Sequence, residues 1–205
     1  MKKLILTSSG LDNPKLIKEF LNLISKPINK LKILIIFGVK TKEERFYVEE
    51  SIKELIKIGI NKENIFEVNI NKDVIVKSYK GFEVIYFCGG NTYYLLDRIR
   101  KTGIDKLIKN SVKKGILYLG VSAGSIIAGK SIEIAGWGIE GDINEVNLKN
   151  LSGLKFTNIA IFPHYKDKLK KEVIEFKAKV DYPVKALRDG ESIVIIGNMI
   201  KELKW

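Results

Sequence analysis

The strand-like segments of this chain are continuous apolar runs, and that limits its fold more than any other feature. Leu31 to Phe37 is apolar everywhere but Lys32, and neither Gly81 to Cys88 nor Gly115 to Leu119 alternates polar with apolar residues. A strand wet on one face alternates, whereas a strand covered on both faces does not. Shorter runs at Lys3 to Leu6 and Ile65 to Val68 complete the set. Between them the apolar spacing is helical. Asn13 is placed to cap a helix reaching about Ile24, with Leu16, Ile17, Phe20, Leu21 and Ile24 on one face. Further helices are expected over Glu44 to Ile58, Asp73 to Ser78, Thr92 to about Arg100 (Thr92 acting as N-cap), Ile104 to Lys113, and Ser122 to about Gly129. This βαβα alternation predicts a mostly parallel sheet between two helix layers, a three-layer α/β/α sandwich. From Ile132 to Leu154 the pattern loosens into a loop-rich excursion. A strand (Asn158 to Phe162), a helix (Asp167 to Phe176) and a hairpin follow. The hairpin sets Val184 to Leu187, or its continuation through Ser192 to Ile196, against Met199 to Leu203 across a Gly197-Asn198 turn.

One of these strands runs into Gly120-Val121-Ser122-Ala123-Gly124, a G-x-S-x-G pentapeptide, and a small apolar helix start follows. Strand, tight turn and helix form the setting in which a serine stands exposed at the carboxyl edge of a sheet. Backbone N–H groups lie beneath it. Serine is a poor nucleophile until a base takes its proton. The chain has one histidine, His164, after the apolar run Ile161-Phe162-Pro163. A histidine base for Ser122 must therefore be His164, itself expected at a strand's carboxyl end. Phe87-Cys88-Gly89-Gly90-Asn91 is a third strand-to-turn junction, and its paired glycines allow backbone N–H groups to approach a reacting oxygen. Acyl transfer needs two such donors. Ala123 supplies one, and Gly90 or Asn91 the other. Asn91 is also a candidate substrate-binding residue.

Composition narrows the alternatives. With 205 residues and 45% hydrophobic content the chain can bury a full core as one domain spanning residues 1–205. The formal charge of +12 comes from lysines scattered along the chain, which reads as a solvated surface and not a nucleic-acid footprint. One cysteine, Cys88, and one histidine exclude an internal disulfide and a multi-cysteine metal centre. No metal or cofactor is expected. The first residues read as a strand and turn, not a signal peptide, and no apolar stretch reaches transmembrane length. A cytoplasmic protein is expected, a monomer or homodimer, with no membrane or nucleic-acid partner.

The base needs an orienting acid. Glu133, Glu140, Asp142 and Glu145 precede His164, and Asp189 and Glu191 follow it. The residues alone do not choose among them. Together, Cys88-Gly89-Gly90-Asn91-Thr92, Gly120-Val121-Ser122-Ala123-Gly124, Pro163-His164-Tyr165 and Leu187-Arg188-Asp189-Gly190 resemble, in that order, the S51 serine peptidases. That family includes dipeptidase E, an α-aspartyl dipeptidase, and cyanophycinase. The resemblance spans most of the chain. It implies a class I glutamine-amidotransferase-like (flavodoxin-like) fold, with Ser122 as nucleophile, His164 as base, Gly90 and Ala123 as oxyanion donors, and Asp189 as the acid, Glu191 being the alternative. It also implies hydrolysis of dipeptides or short peptides, an N-terminal aspartyl preference being one form. Dipeptidase E carries an arginine-bearing segment after its histidine that helps bind the aspartyl carboxylate; here that segment reads Lys166-Asp167-Lys168-Leu169-Lys170-Lys171, without arginine. A lysine cannot offer a bidentate fork to a carboxylate. Other readings are an α/β-hydrolase-like esterase using Asp142 as acid, a cyanophycinase-like isopeptidase, and a non-catalytic binding protein that keeps the fold. In the related amidotransferases the elbow nucleophile is cysteine; here that position is Ser122.

Overall fold

Every residue of Ile33–Phe37 is buried, which is why that run does not alternate. It is β2 of a seven-stranded sheet. In chain order the strands are β1 (Lys3–Thr7), β2 (Ile33–Phe37), β3 (Ile65–Asn69), β4 (Val84–Phe87), β5 (Leu117–Val121), β8 (Ser192–Ile196) and β9 (Met199–Leu203); β6 (Ala160–Phe162) and β7 (Val184–Ala186) form a separate parallel pair. The helices are α1 (Pro14–Leu23), α2 (Lys42–Lys57), α3 (Thr92–Thr102), α4 (Ile104–Lys113), α5 (Ala123–Ile127) and α6 (Lys170–Lys179). This computed structural model describes residues 1–71 and 81–205, so the helix expected over Asp73 to Ser78 lies outside the described residues.

The sheet order is β3-β2-β4-β5-β1-β8-β9. From β3 to β1 all pairings are parallel, and β8 and β9 close one edge antiparallel. Side chains alternate across the sheet into two cores. Leu4, Leu6, Leu34, Ile36, Ile85, Phe87 and Tyr118 pack with α3, α4 and α5. Ile5, Ile33, Ile35, Val84, Tyr86, Leu117 and Leu119 face the other way, against Leu16, Phe20 and Leu23 of α1 and Val48 and Leu55 of α2. The sheet is thus covered by helices on both faces, an α/β sandwich.

The structure decides between the two hairpin arms and corrects the helix cap. Val184–Ala186 is not the first arm of the terminal hairpin; it pairs with β6, and the hairpin is β8–β9 around Gly197-Asn198. β6 is not a strand of the main sheet. The cap of α3 is Asn91, whose side chain accepts the Tyr94 N–H at 3.0 Å, whereas Thr92 is the first helical residue and its N–H is held by Asp142. A cap must stand one residue outside the helix with extended backbone, as Asn91 does at φ −68°, ψ 120°. No helix among the described residues is long and apolar enough to cross a membrane.

Candidate active site

Ser122 sits between β5 and α5 at φ 50°, ψ −111°, a conformation L-residues avoid. The neighbouring glycines make that turn possible. A Cβ on Gly120 would run into the Gly124 carbonyl, 2.6 Å from its carbon and 2.8 Å from Ser125 N. A Cβ on Gly124 would lie 2.7 Å from both Phe87 Cβ and Phe87 O, against β4. Ser125 locks the elbow: its Oγ lies 2.6 Å from Gly120 O and 2.8 Å from Thr7 O, bridging β5 and β1. Tyr118 Oη donates to Gly124 O at 2.6 Å. The elbow lies where β5 runs beside β1, at the carboxyl ends of parallel strands, where sites form in open α/β sheets.

The structure brings three of the expected residues together. His164 Nε2 lies 2.9 Å from Ser122 Oγ, and His164 Nδ1 lies 2.7 Å from Asp189 Oδ1. His164 follows β6 at φ 54°, a left-handed conformation that histidine tolerates better than most residues. It is pinned on both sides, since Tyr165 N–H donates to Leu187 O and Leu187 N–H donates to Phe162 O, each at 2.9 Å. The β6–β7 pair therefore carries His164 to the elbow. Asp189 stands in the turn between β7 and β8. Glu191 does not reach the histidine; its Oε2 closes the turn by accepting the Arg188 N–H at 2.9 Å. Asp142 is likewise away from His164. Its Oδ2 accepts the Thr92 N–H at 2.8 Å, so the chain order is serine, histidine, acid and not the esterase order.

Ser8 joins the site with no motif in the sequence to mark it. Fully buried at the end of β1, its Oγ accepts the His164 N–H at 2.7 Å and donates to Asp189 Oδ1 at 2.9 Å. Its neighbours hold the acid turn: Ser9 Oγ accepts the Gly190 N–H at 2.8 Å, and Asn13 Nδ2 donates to Gly190 O at 2.7 Å. Ser8→Ala should leave the His164 N–H without a partner and free Asp189 to drift. The expected result is a fall in kcat of about tenfold with KM little changed, because small misplacements of a reacting group are costly. Steady-state kinetics on any substrate of the wild type checks it.

Two cavities meet at Ser122, Gly90 and His164. One, of about 320 Å³, runs under the 134–142 loop between α3 and α6. The other, of about 430 Å³, runs between the residue 8–10 loop and α2. Gly90, at φ 123°, borders both, and a Cβ on Gly89 would lie 3.4 Å from Ser122 Cβ. The glycine pair thus lets the β4 end lie against the serine. Asn91 is committed elsewhere. Besides capping α3, its Nδ2 donates to Ile143 O at 2.8 Å, anchoring the loop that roofs the first cavity. Lys166, from the segment lacking arginine, lines that cavity and lies 3.8 Å from Glu140. The Glu140 carboxyl is held below its usual range by hydrogen bonding to Lys168, with Lys166 adding to the effect. Burial raises the Glu54 carboxyl beside the second cavity, only partly offset by the Leu11 N–H.

Among the described residues no group of three His, Cys, Asp or Glu side chains is arranged around a metal position. Cys88 borders the second cavity but is buried, and burial pushes its thiol up to about 12. The thiolate is the reactive form. Native protein at pH 8 should therefore resist iodoacetamide, with Cys88 labelling only after denaturation; intact mass checks this.

A serine held at positive φ and aligned with a histidine and an aspartate joins the two glycine turns in one site. The family model for Peptidase family S51 matches residues 4–203. The chain belongs to peptidase family S51. It is 32% identical over 205 residues to an uncharacterized peptidase of Listeria monocytogenes, Lmo0363, covering 98% of this chain and 97% of the relative. To a peptidase E of Salmonella arizonae it is 29% identical over 171 residues, covering 82% of this chain and 71% of that one. The structure of a peptidase E candidate from Listeria monocytogenes EGD-e superposes with a TM-score of 0.80 at 29% identity, over 100% of this chain and 99% of that one. A peptidase from an acI-B1 Actinobacterium, at 19% identity and TM-score 0.69, shares the fold.

Proposed function

We propose that this S51 peptidase hydrolyses short peptides through an acyl-enzyme on Ser122, with residues 1–205 acting as one domain. One observation carries the reading: Ser122, strained at φ 50°, presents its Oγ 2.9 Å from His164 Nε2, while Asp189 orients the far side of that ring. His164 takes the Ser122 proton as Oγ attacks the scissile carbonyl. The N–H groups of Ala123 and Gly90 receive the negative charge on the carbonyl oxygen. His164 then gives its proton to the leaving amine. A water, deprotonated by the same ring, cleaves the ester and returns Ser122 to its hydroxyl form. Asp189 stabilises the imidazolium and keeps the second ring nitrogen protonated, without itself taking the proton.

The test is hydrolysis of a dipeptide library, with tripeptides and short esters alongside, by wild type and Ser122→Ala in parallel. Amino-acid release by the wild type alone establishes the serine mechanism. Equal behaviour of the two proteins on every peptide overturns it.

A further inference from the structure

The 320 Å³ cavity beside Ser122 is walled by carboxylates in a chain whose formal charge is +12. Asp142, Glu172, Glu140 and Asp189 line it, and Lys166 is the one lysine or arginine among its described lining residues. These acids are not equivalent. Glu140 lies close to both Lys166 and Lys168, so the rim is neutralised. Asp142 and Glu172 form no ion pair among the described residues. Asp142 uses Oδ2 on the Thr92 N–H. Glu172 lines the cavity, but its Oε2, without a hydrogen-bond partner among the described residues, is turned onto Gly138, where an added Cβ would come within 2.7 Å of the carboxyl carbon. Thr92, fully buried and lining the same cavity, has an Oγ without a partner among the described residues.

Two carboxylates without a cation beside them and the unpartnered Thr92 hydroxyl, all in one wall, form an incomplete site, because a buried polar group left without a partner costs free energy. A donor that is also positive would answer both demands. Trp137 and Phe162 line the same cavity and offer apolar surface to a carbon stem. The second cavity repeats the sign: Glu44, Glu50 and Glu54 line it, Glu50 paired with Lys53, and no lysine or arginine is among its described lining residues. The lysine-rich exterior does not cancel this. At physiological salt, charges more than about 8 Å away are screened, whereas charges inside a cavity are screened far less. An aspartyl side chain entering here would meet two unpaired carboxylates with no arginine to receive it.

We propose that the cavity walled by Asp142, Glu172 and Thr92 is a cation subsite, holding an ammonium or guanidinium group of the substrate residue beside the scissile bond. The proposal rests on the peptidase reading for the word substrate, though not for the binding. The cation has two possible sources, the free α-amino group of a peptide's first residue or a basic side chain.

The test uses Ser122→Ala protein and calorimetric titration with lysinamide, norleucinamide, N-acetyl-lysinamide, N-acetyl-norleucinamide and aspartamide. Lysinamide and at least one singly charged probe should bind at least tenfold more tightly than N-acetyl-norleucinamide and aspartamide. Norleucinamide binding assigns the cation to the α-amino group, and N-acetyl-lysinamide binding assigns it to the side chain. Adding Asp142→Asn or Glu172→Gln should weaken lysinamide about tenfold without moving the uncharged probe, at unchanged melting temperature. The proposal falls if no probe binds, if the uncharged probe or aspartamide matches lysinamide, or if both variants bind like the parent. Peptide hydrolysis by the wild type is a separate readout. Cation binding without hydrolysis strikes the peptidase reading and leaves the subsite. Hydrolysis without cation preference does the reverse.

Discussion

Ser122→Ala is expected to lower peptide hydrolysis by about 10⁴- to 10⁶-fold, the loss seen when a triad nucleophile is removed. The folded state should be untouched, because alanine meets the same backbone penalty as serine. Ser122→Gly separates the two roles of this position. It removes the hydroxyl, so activity is lost equally, and it also relieves the positive φ of the elbow. Strain of this kind costs about 1–3 kcal/mol. For a chain of this size each kcal/mol moves the melting temperature by about 2–4 °C. The glycine variant should therefore be inactive and melt several degrees above both wild type and alanine variant. Thermal unfolding of the three proteins side by side decides it. Equal melting temperatures would mean that the elbow stores no strain.

The second large effect concerns the glycines of the elbow. Gly120→Ala pushes a methyl group into the backbone of Gly124 and Ser125, and Gly124→Ala pushes one into Phe87 on β4. Backbone atoms in a packed sheet cannot yield as a flexible side chain does. Each substitution should cost more than about 3 kcal/mol, at the damaging end of single-residue effects. Loss of soluble protein, or a melting temperature lower by about 10 °C, is the expected outcome. Chemical denaturation measures it. A near-neutral Gly124→Ala would mean that α5 can lift away from β4, and the account of why these positions are glycine would fail.

The elbow was legible in the sequence because strand, turn and helix are contiguous and each leaves a local pattern. The same holds for β1 to β5 and for α4, whose bounds match the expected ones. Ser8 was illegible for the opposite reason. In Thr7-Ser8-Ser9-Gly10 it reads as turn chemistry, and its task exists only once residues 164 and 189 arrive beside it. Asp142 stands in the sequence as a candidate acid, but its job at the start of α3 depends on the 134–142 loop folding over that helix. The choice between Asp189 and Glu191 rested on a two-residue register, and it was the turn's own hydrogen bonds that distinguished them. β6 and β7 were each read as strands. Their pairing with each other could not be read, since strand partners are set by tertiary packing and not by local pattern.

The hydrogen bonds among Ser8, Ser122, His164 and Asp189 each join positions far apart in the chain, with separations of 156, 181, 42 and 25 residues. None arises within a single turn or hairpin. Serine, histidine and aspartate therefore have no aligned arrangement in any partly assembled form of the chain. The chemistry appears only when β1, the elbow, the β6–β7 pair and the acid turn have all docked. A nascent or frayed copy therefore lacks the aligned site, and local opening of any one of these segments takes it apart.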